Sequence, residues 1–543
     1  MISKVEACVS DAIHKLGFPS VPYQIQVPGK PGLGDFATNA ALLLTRQMKR
    51  PPMEIAHQLA QTILENDDGF FYSIEPAPPG FINFKINQKY VYKGLKTILK
   101  DGTHFGRQSV GKGKKALVEF VSANPTGPLT VAHGRGAVLG DCISNILEWN
   151  GYEVHREYYF NNAGRQMKIL GESVYIRYQN LCGEKVEFPD DYYQGEYITE
   201  IATHIFSKFS DTLAHQPESS VFRQSAEEII FQDIKQTLES IQLVFDHFYN
   251  EKTLYDSGQI QAVVDELNQK GLIYENDGAT WFKGTELGRD VDKVLIKGTG
   301  EPTYRLPDMA YHKDKYDRGF DRMIDVFGAD HADTFPDILA ALKTLGYDLE
   351  KIQVIIHQFV TIIQDGEQVK MSTRKANYIS LDDLISQVGA DVVRYFFIMR
   401  GMNTHLNFDL KLATDRSDEN PVFYLQYAHA RVCNILLRAK ANEIVFDPDA
   451  ELGLLVEDIE LQLIRKLLEF PLIIQRANVN LEPQGIANYL HDTAGIFHRF
   501  YAHHRVISEN NELTAARLVL TEAFRIVISN GLTLLGLTAP ERM

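Results

Sequence analysis

The chain has 543 residues, with 55 Lys+Arg against 71 Asp+Glu, for a formal net charge of −16. Hydrophobic residues make up 44% and charged residues 23%, the mix of a globular protein long enough for about three or four domains. No run of about 18 apolar residues occurs, which excludes a membrane-spanning helix. The acidic balance excludes coating of nucleic acid by bulk charge but not binding through a local basic patch.

The opening MISKVEACVSDAIHKLG scatters charges among its apolar residues and has no signal-peptide core. Cys8, Cys142, Cys182 and Cys433 lie far apart with no C-x-x-C. Neither a zinc site nor a disulfide framework is expected, and a cytoplasmic location follows. No internal repeat or low-complexity tract is evident.

Residues 1–105 mix helical and strand patterns, as an α+β domain does. Phe36–Arg46 (FATNAALLLTR) reads as an amphipathic helix entered from Gly32, Gly34 and Asp35. Phe81–Ile86 (FINFKI) alternates as a strand after the Pro76–Gly80 punctuation. A Lys-rich hinge, Gly111 to Lys115, opens an α/β region over 106–410. Leu117–Val121 is an apolar, β-branched run that predicts a buried strand. His133–Trp149 has helical spacing, with Gly151 at its C-terminal end, and Val154–Phe160 is the next strand. This order predicts one right-handed βαβ unit. Further strands are predicted at Met323–Phe327 and Val354–His357, with a helical, polar insertion over about 165–275. Residues 411–543 predict an all-α bundle. Phe423, Tyr427, Ala430, Val432 and Leu436 share one face of one helix, and Leu518, Ala523, Ile526 and Val527 one face of another.

Three places carry candidate chemistry. The loop Ser122 to His133 (SANPTGPLTVAH) joins a strand end to a helix N-terminus, where unpaired N–H groups suit phosphate. His133 falls in the first turn, within reach of a phosphate oxygen, and Gly134 and Gly136 would let a nucleotide approach the backbone. The plain alternative is a loop with a histidine and flexible glycines. In Val369–Lys375 (VKMSTRK), three cations surround a Ser-Thr pair after Gly366, and such a loop could close over a triphosphate; the alternative is a solvated basic loop. Finally, Glu119 interrupts an apolar strand, and a buried carboxylate needs a partner. Asp308 follows Tyr304 by four residues, and Asp330 and His331 end another strand run. Structural ion pairing for Glu119 and a helix N-cap role for Asp308 are the alternatives.

The segments SANPTGPLTVAHGRGAVLGD, VKMSTRKANYISLDDL and ENPVFYLQYAHAR together resemble arginyl-tRNA synthetase, a class I aminoacyl-tRNA synthetase. The likeness runs along nearly the whole chain, through GDFATNAALLL, PGFINFKI, GEPTYRLPDMAYHKDKYDRGFDRMIDVFGADH and Ser529–Gly536. It implies that ATP, L-arginine and the arginine tRNA give arginyl-tRNA, AMP and pyrophosphate, with Mg²⁺, in a chain that is commonly a monomer. It implies a Rossmann catalytic core, a helical anticodon-binding domain and an N-terminal domain that contacts the tRNA elbow. In this family arginine activation usually needs bound tRNA.

The "HIGH" region would be Ala123, Asn124, Pro125, Thr126, Gly127, Pro128, Leu129, Thr130, Val131, Ala132 and His133. ATP would meet Thr130, Ala132, His133, Gly134, Gly136, Lys370, Met371 and Ser372, with His133, Lys370 and Arg374 stabilising charge. Arginine would meet Glu119, Ser122, Asn124, Tyr304, Asp308 and, more loosely, His331. Carboxylates in fork geometry suit a guanidinium that always stays charged, and lysine would fit such a fork poorly. Arg499, Tyr501 and Arg505 are the tRNA candidates, aromatics stacking on splayed bases and cations meeting phosphates; a surface helix with a packed aromatic is the alternative.

Three positions, in two motifs, depart from the family pattern. Thr130 and Ala132 stand in the first motif where histidine and glycine are usual, and Thr373 stands where the second motif has its second lysine. Arg374, or Lys112, Lys114 or Lys115 from ahead of the first motif, are candidates to supply that charge. The rivals are another class I synthetase, of which the cysteine enzyme would carry zinc ligands, and a catalytically impaired, synthetase-like tRNA-binding protein.

Overall fold

The computed structural model describes residues 1–29, 32–162, 164–329, 333–369 and 379–543. The chain opens with helix α1 (Ile2–Lys15), then strands β1 (Ile25–Gln26) and β2 (Phe36–Thr38), helices α2 (Ala40–Met48) and α3 (Pro52–Glu65), strands β3 (Phe71–Ala77) and β4 (Phe81–Ile86), and helix α4 (Gln88–Asp101). The strands form one antiparallel sheet in the order β1-β2-β4-β3. The FINFKI alternation holds, with Ile82, Phe84 and Ile86 inside. The helix expected from Phe36 does not start there. Phe36, Ala37 and Thr38 pair with β4 and are all buried, so helix begins only at Ala40.

Strand β5 (Lys115–Glu119) leads to α5 (Val131–Trp149) and β6 (Glu153–Phe160). β5 ends two residues before the expected Val121. Val121 and Ser122 have φ of 67° and 43°, and the Ser122 N–H bonds the Phe120 carbonyl at 2.9 Å. This is a γ-turn, a strained conformation for a β-branched residue. Helices α6 (Gly164–Leu181), α7 (Glu196–Phe209) and α8 (Ser220–Ser240) form the insertion. It closes sooner than expected, because β7 (His247–Asn250) returns to pair in parallel with β6. Helices α9 (Lys252–Asp256) and α10 (Gln259–Gln269) follow. Next come a small antiparallel sheet of β8 (Ile273–Asn276), β9 (Ala279–Phe282) and β10 (Lys293–Ile296), then α11 (Arg305–Asp317), β11 (Arg322–Gly328), α12 (Phe335–Leu345) and β12 (Ile352–His357).

The central sheet is parallel throughout, in the order β12-β11-β5-β6-β7. The chain leaves β5 toward β6 and β7, then returns to add β11 on the other side of β5. The switch point therefore lies between β5 and β11, where ligands bind at the strands' carboxyl ends. Both faces are covered, α5 on one and α11 with α12 on the other.

Beyond the sheet, β13 (Val360–Gln364) and β14 (Glu367–Gln368) form a hairpin around Asp365 and Gly366, both at positive φ, as a tight two-residue turn requires. Helices α13 (Leu381–Val388) and α14 (Ala390–Ile398) and strand β15 (Leu406–Asp409), parallel to β13, lead to the C-terminal helices. These are α15 (Leu410–Thr414), α16 (Pro421–Ala441), α17 (Asp458–Leu468), α18 (Phe470–Asn480), α19 (Gln484–His503) and α20 (Asn511–Leu534). In α20 the expected face is buried. In α16 Ala430 and Val432 are buried as expected, but the rest of the buried face is Val422, Leu425, Ala428 and Ile435, which leaves Phe423, Tyr427 and Leu436 only half-buried. Arg394, wholly buried, donates to the Leu535 and Ile241 carbonyls and pairs with Asp141 of α5, tying the bundle to the sheet domain.

Candidate active site

The loop after β5 folds over the carboxyl edge of the sheet. The Tyr158 hydroxyl donates to the Ala123 carbonyl (2.7 Å) and the Tyr197 hydroxyl, from the insertion, to the Thr126 carbonyl (2.8 Å). Asn124 accepts from the Asn161 N–H at 3.1 Å and donates to Gln166 at 3.0 Å, so its amide is oriented at the sheet edge. Thr130 is the N-cap of α5 and forms a capping box with His133. The Thr130 N–H donates to His133 Nδ1 at 3.2 Å, which puts the ring proton on Nε2. A threonine where the family has histidine thus caps the helix and fixes the tautomer of the remaining histidine.

Ala132 is exposed in the first turn. Gly134 and Gly136 do not present bare backbone as expected. A Cβ on Gly134 would lie 2.6 Å from Leu381 Cδ1, and one on Gly136 2.9 Å from His357 Nε2. Protein side chains fill those clefts.

Beneath the loop the acids converge. Tyr159 of β6 donates to Glu251 at 2.7 Å, and the Asn161 amide donates to the same carboxylate at 2.8 Å. The charges of Glu251, Asp308 and Glu119 all act on the Tyr159 phenol, whose pKa burial and these acids raise. Asp308 sits in the first turn of α11, after the N-cap, rather than capping the helix itself. Burial, reinforced by Glu119 and Glu251, pushes its carboxyl up to about 7. Burial likewise raises Glu251. Glu251 was not singled out in the sequence. It lies at the exit of β7, behind a long insertion, and nothing local distinguishes it from other surface-type glutamates.

Glu119 and Ser122 are less available than expected. Glu119 is 3% exposed; its Oε1 accepts from the Ser122 hydroxyl (2.9 Å) and its Oε2 from Lys315 Nζ (2.5 Å). Ser122 Oγ also accepts the Tyr159 N–H at 3.3 Å. Both residues thus have protein partners, as Glu251 does through Tyr159 and Asn161. Tyr304 is exposed at the mouth, one turn before Asp308, with the Arg305 guanidinium 4.9 Å from its ring.

Lys370, Met371, Ser372, Thr373 and Arg374, and Asp330 with His331, lie outside the described residues. The flanks of the second motif are described. Ser380 pairs with Thr130, and the Leu381 N–H donates to the Leu129 carbonyl at 2.8 Å, so the segment returns directly onto the N-terminus of α5. Lys112, Lys114 and Lys115 are excluded as its helpers. Lys112 and Lys114 precede β5 and Lys115 opens it, at the amino end of the sheet and roughly 13 Å of strand from its carboxyl edge, and Lys115 faces Glu153 there at 4.0 Å.

Two clusters of described residues have metal-ligand spacing, His155–Glu157–His247 and Glu119–His312–Asp325. Each already holds a protein cation. Arg318 grips Glu157 at 2.6 and 2.7 Å, and Lys315 bridges Glu119 and Asp325.

In the helical region Tyr501 lines a cavity of about 260 Å³ together with Tyr427, Arg431, Asn434, Arg438 and Met543. The Arg431 guanidinium lies 4.4 Å from the Tyr427 ring and 5.3 Å from that of Tyr501. Arg499 is exposed on α19, and Arg505 follows the end of that helix; neither lines the cavity. Arg431 and Arg438 were missed because they belong to a different helix from Tyr501.

A parallel sheet with its switch point beside β5, a capped histidine at the following helix N-terminus and Ser380 and Leu381 meeting that cap define a class I synthetase catalytic domain. Residues 94–394 match the family model of the class I tRNA synthetase (R) catalytic domain, 3–86 that of the arginyl tRNA synthetase N-terminal domain and 425–543 that of the DALR anticodon binding domain. The chain belongs to the arginyl-tRNA synthetase family. It is 49% identical to an arginine--tRNA ligase of Salinibacter ruber, covering 96% of each chain, and 50% identical to one of Chlorobaculum tepidum, covering 98% of each. A solved Campylobacter jejuni chain described as an arginyl tRNA synthetase superposes with a TM-score of 0.78 at 31% identity, over 84% of this chain and 100% of that one.

Proposed function

We infer that the chain charges the arginine tRNA. The L-arginine carboxylate attacks the α-phosphorus of ATP, releasing pyrophosphate and giving arginyl-adenylate. The terminal ribose hydroxyl of the tRNA then takes the arginyl group, releasing AMP. No protein nucleophile is required; positioning and electrostatics supply the rate. The observation that carries the residue assignment is the convergence of Asp308 and Glu251 on Tyr159, beside Asn124 and the N-terminus of α5.

In this reading Glu119 and Asp308, with Glu251 beside them, surround the guanidinium, Tyr304 covers it, Asn124 with Ser122 beside it holds the α-groups, and His331 adds a looser contact. His133 Nε2 and the exposed start of α5 at Thr130 and Ala132 face the phosphates, while Gly134 and Gly136 give the room in which Leu381 and His357 pack against the helix. Lys370, Met371, Ser372 and Arg374 close over them, with Arg374 in the role of the second lysine. Mg²⁺ enters with ATP as part of the substrate, held by phosphate oxygens. The acids of the nearby metal-spaced cluster are balanced by Lys315, which leaves them ill suited to a resident cation. The cavity bearing Tyr501 and Arg431 receives tRNA bases, and Arg499 and Arg505 meet phosphates. The units are 1–105 for tRNA contact, 106–410 for catalysis and 411–543 for the anticodon, in a monomeric cytoplasmic enzyme whose four cysteines are free.

The impaired alternative finds no support, since the departure at Thr130 serves as a helix cap. Pyrophosphate exchange, measured with tRNA across the set of amino acids, tests the reading. Exchange with arginine alone is expected; exchange with none overturns it.

A further inference from the structure

The insertion of α6, α7 and α8 meets the first motif in two places. The Tyr197 hydroxyl of α7 donates to the Thr126 carbonyl inside the loop at 2.8 Å. The second contact runs through α13. Thr237, buried in the last turn of α8, holds its hydroxyl 2.8 Å from each carboxylate oxygen of Asp382, in the first turn of α13. The same hydroxyl lies 3.1 Å from the Asp233 carbonyl one turn back, where a helical threonine often bonds. The carboxylate is nearer and charged, and so is the stronger acceptor. The Asp233 carboxyl is close as well, pushed up by burial and by the charge of Asp382. Two acids repel, so the hydroxyl is what draws Asp382 onto α8.

The neighbours of Asp382 carry the contact to α5. Ser380 pairs with Thr130, and the Leu381 N–H donates to the Leu129 carbonyl at 2.8 Å. Leu381 also fills the space over Gly134, where a Cβ would stand 2.6 Å from its Cδ1. The end of α8 is itself fixed, because the Ile241 carbonyl accepts from Arg394, which pairs with Asp141 of α5. Helix α6 packs on both α7 and α8. One packed block therefore holds the first motif at Thr126 and, across α13, at the Thr130 cap that bonds His133.

We propose that Thr237 is a positioning residue for adenylate formation: through Asp382 it holds α13 against the N-terminus of α5 and so keeps the Thr130–His133 cap in place. The inference rests on the role of His133 at the phosphates argued above. Its physical basis is that α13 has only eight residues, too few to be stable without tertiary contacts, so its place depends on what grips its first turn. Charge developing at the phosphates is stabilised by a donor already in position, and a shift of about an ångström in that donor removes much of the effect. The arginine pocket is built on β6, the exit of β7 and α11, so arginine affinity should hold when the grip on α13 is lost.

The test reads tRNA-dependent pyrophosphate exchange in full-length Thr237→Val, Thr237→Ser, His133→Ala and the double variant of Thr237→Val with His133→Ala. Thr237→Val loses the hydroxyl and is expected to slow exchange about tenfold, the effect of one hydrogen bond to a charged group. Its arginine Michaelis constant should stay within about twofold of the native value. Thr237→Ser keeps the hydroxyl and should stay within about threefold of the native rate. In the His133→Ala background, Thr237→Val should cost less than about twofold more, because the group it positions is gone. A merely structural role would slow both backgrounds by the same factor.

A full tenfold loss in the His133→Ala background therefore overturns the proposal. So does a Ser variant as slow as the Val variant, or a Val variant as fast as the native enzyme. If Thr237→Val does not fold, Asp382→Ala, which removes the acceptor from half-buried α13, enters the same comparison with His133→Ala and is judged by the same outcomes. Undiminished exchange in His133→Ala alone would instead defeat the phosphate role of His133, and the proposal with it.

Discussion

Asp308 ties pH to substrate capture. Burial, reinforced by Glu119 and Glu251, raises its carboxyl from 3.8 to about 7. The empty folded protein thus holds this proton more tightly than the unfolded chain, and stability falls as pH rises from 3.8 through about 7. A guanidinium, always charged, binds the ionised form, so arginine binding should improve over the same window. The arginine Michaelis constant is expected to drop roughly tenfold between about pH 6 and about pH 8, as the ionised fraction climbs. Asp308→Asn should give a high constant that no longer depends on pH, and a flat profile in the native enzyme would remove Asp308 from the pocket. His133 makes a different claim. Its Nδ1 is committed to the Thr130 N–H, so its work is done through Nε2 on charge that develops at the phosphates. His133→Ala is expected to lower adenylate formation by about 10²–10³ and leave arginine affinity within about twofold. Equal losses in both would contradict the role. Both residues were visible in the sequence, His133 by its place at a helix start and Asp308 by its motif. Glu251 was not, because only the folded sheet brings it beside them.

At the scale of elements, the catalytic helix is set by how closely it meets β5. Gly140 of α5 sits against Phe120, the first residue of the γ-turn, and a Cβ there would stand 2.2 Å from the Phe120 ring carbon Cγ. Phe120 is fully buried, its ring tilted against that of Phe245 with centroids 4.5 Å apart, and has nowhere to move. Gly140→Ala is expected to destabilise the protein by about 1–3 kcal/mol through overpacking, read as a lower urea midpoint at unchanged slope. An unchanged midpoint would mean that helix and strand can separate without loss. The same elements explain what the sequence did and did not disclose. Apolar stretches identified β5, β11 and β12 because both faces of a parallel sheet are buried. β7 is four residues, His247–Asn250, too short to show a period. Phe36–Thr38 carries the same apolar spacing as the helix after it; pairing with β4, a long-range event, decides its conformation.

For the whole molecule, a charge of −16 must still admit a polyanion. The helical region meets this locally. Arg431 lies against Tyr427 and Tyr501, and Arg438 joins them at the same cavity. Rings held by a guanidinium are already ordered, so a splayed base stacks on them with little further loss of freedom. Tyr501→Ala is expected to cost about 1–3 kcal/mol of tRNA binding, or roughly 5- to 150-fold in the tRNA Michaelis constant. The arginine constant at saturating tRNA should stay put, because the cavity lies in the bundle and the pocket in the sheet. Arg438→Ala should act through charge, lowering the slope of log affinity against log salt by about one. If Tyr501→Ala leaves the tRNA constant unchanged while Arg438→Ala alters the slope, the face binds backbone and not bases, and anticodon reading must then come from elsewhere on the bundle. The sequence indicated an aromatic-basic stretch on one helix. That it works with a second helix follows from the packing of α16 on α19, which turns Tyr427 and Arg431 outward because Val422, Leu425 and Val432 fill the core.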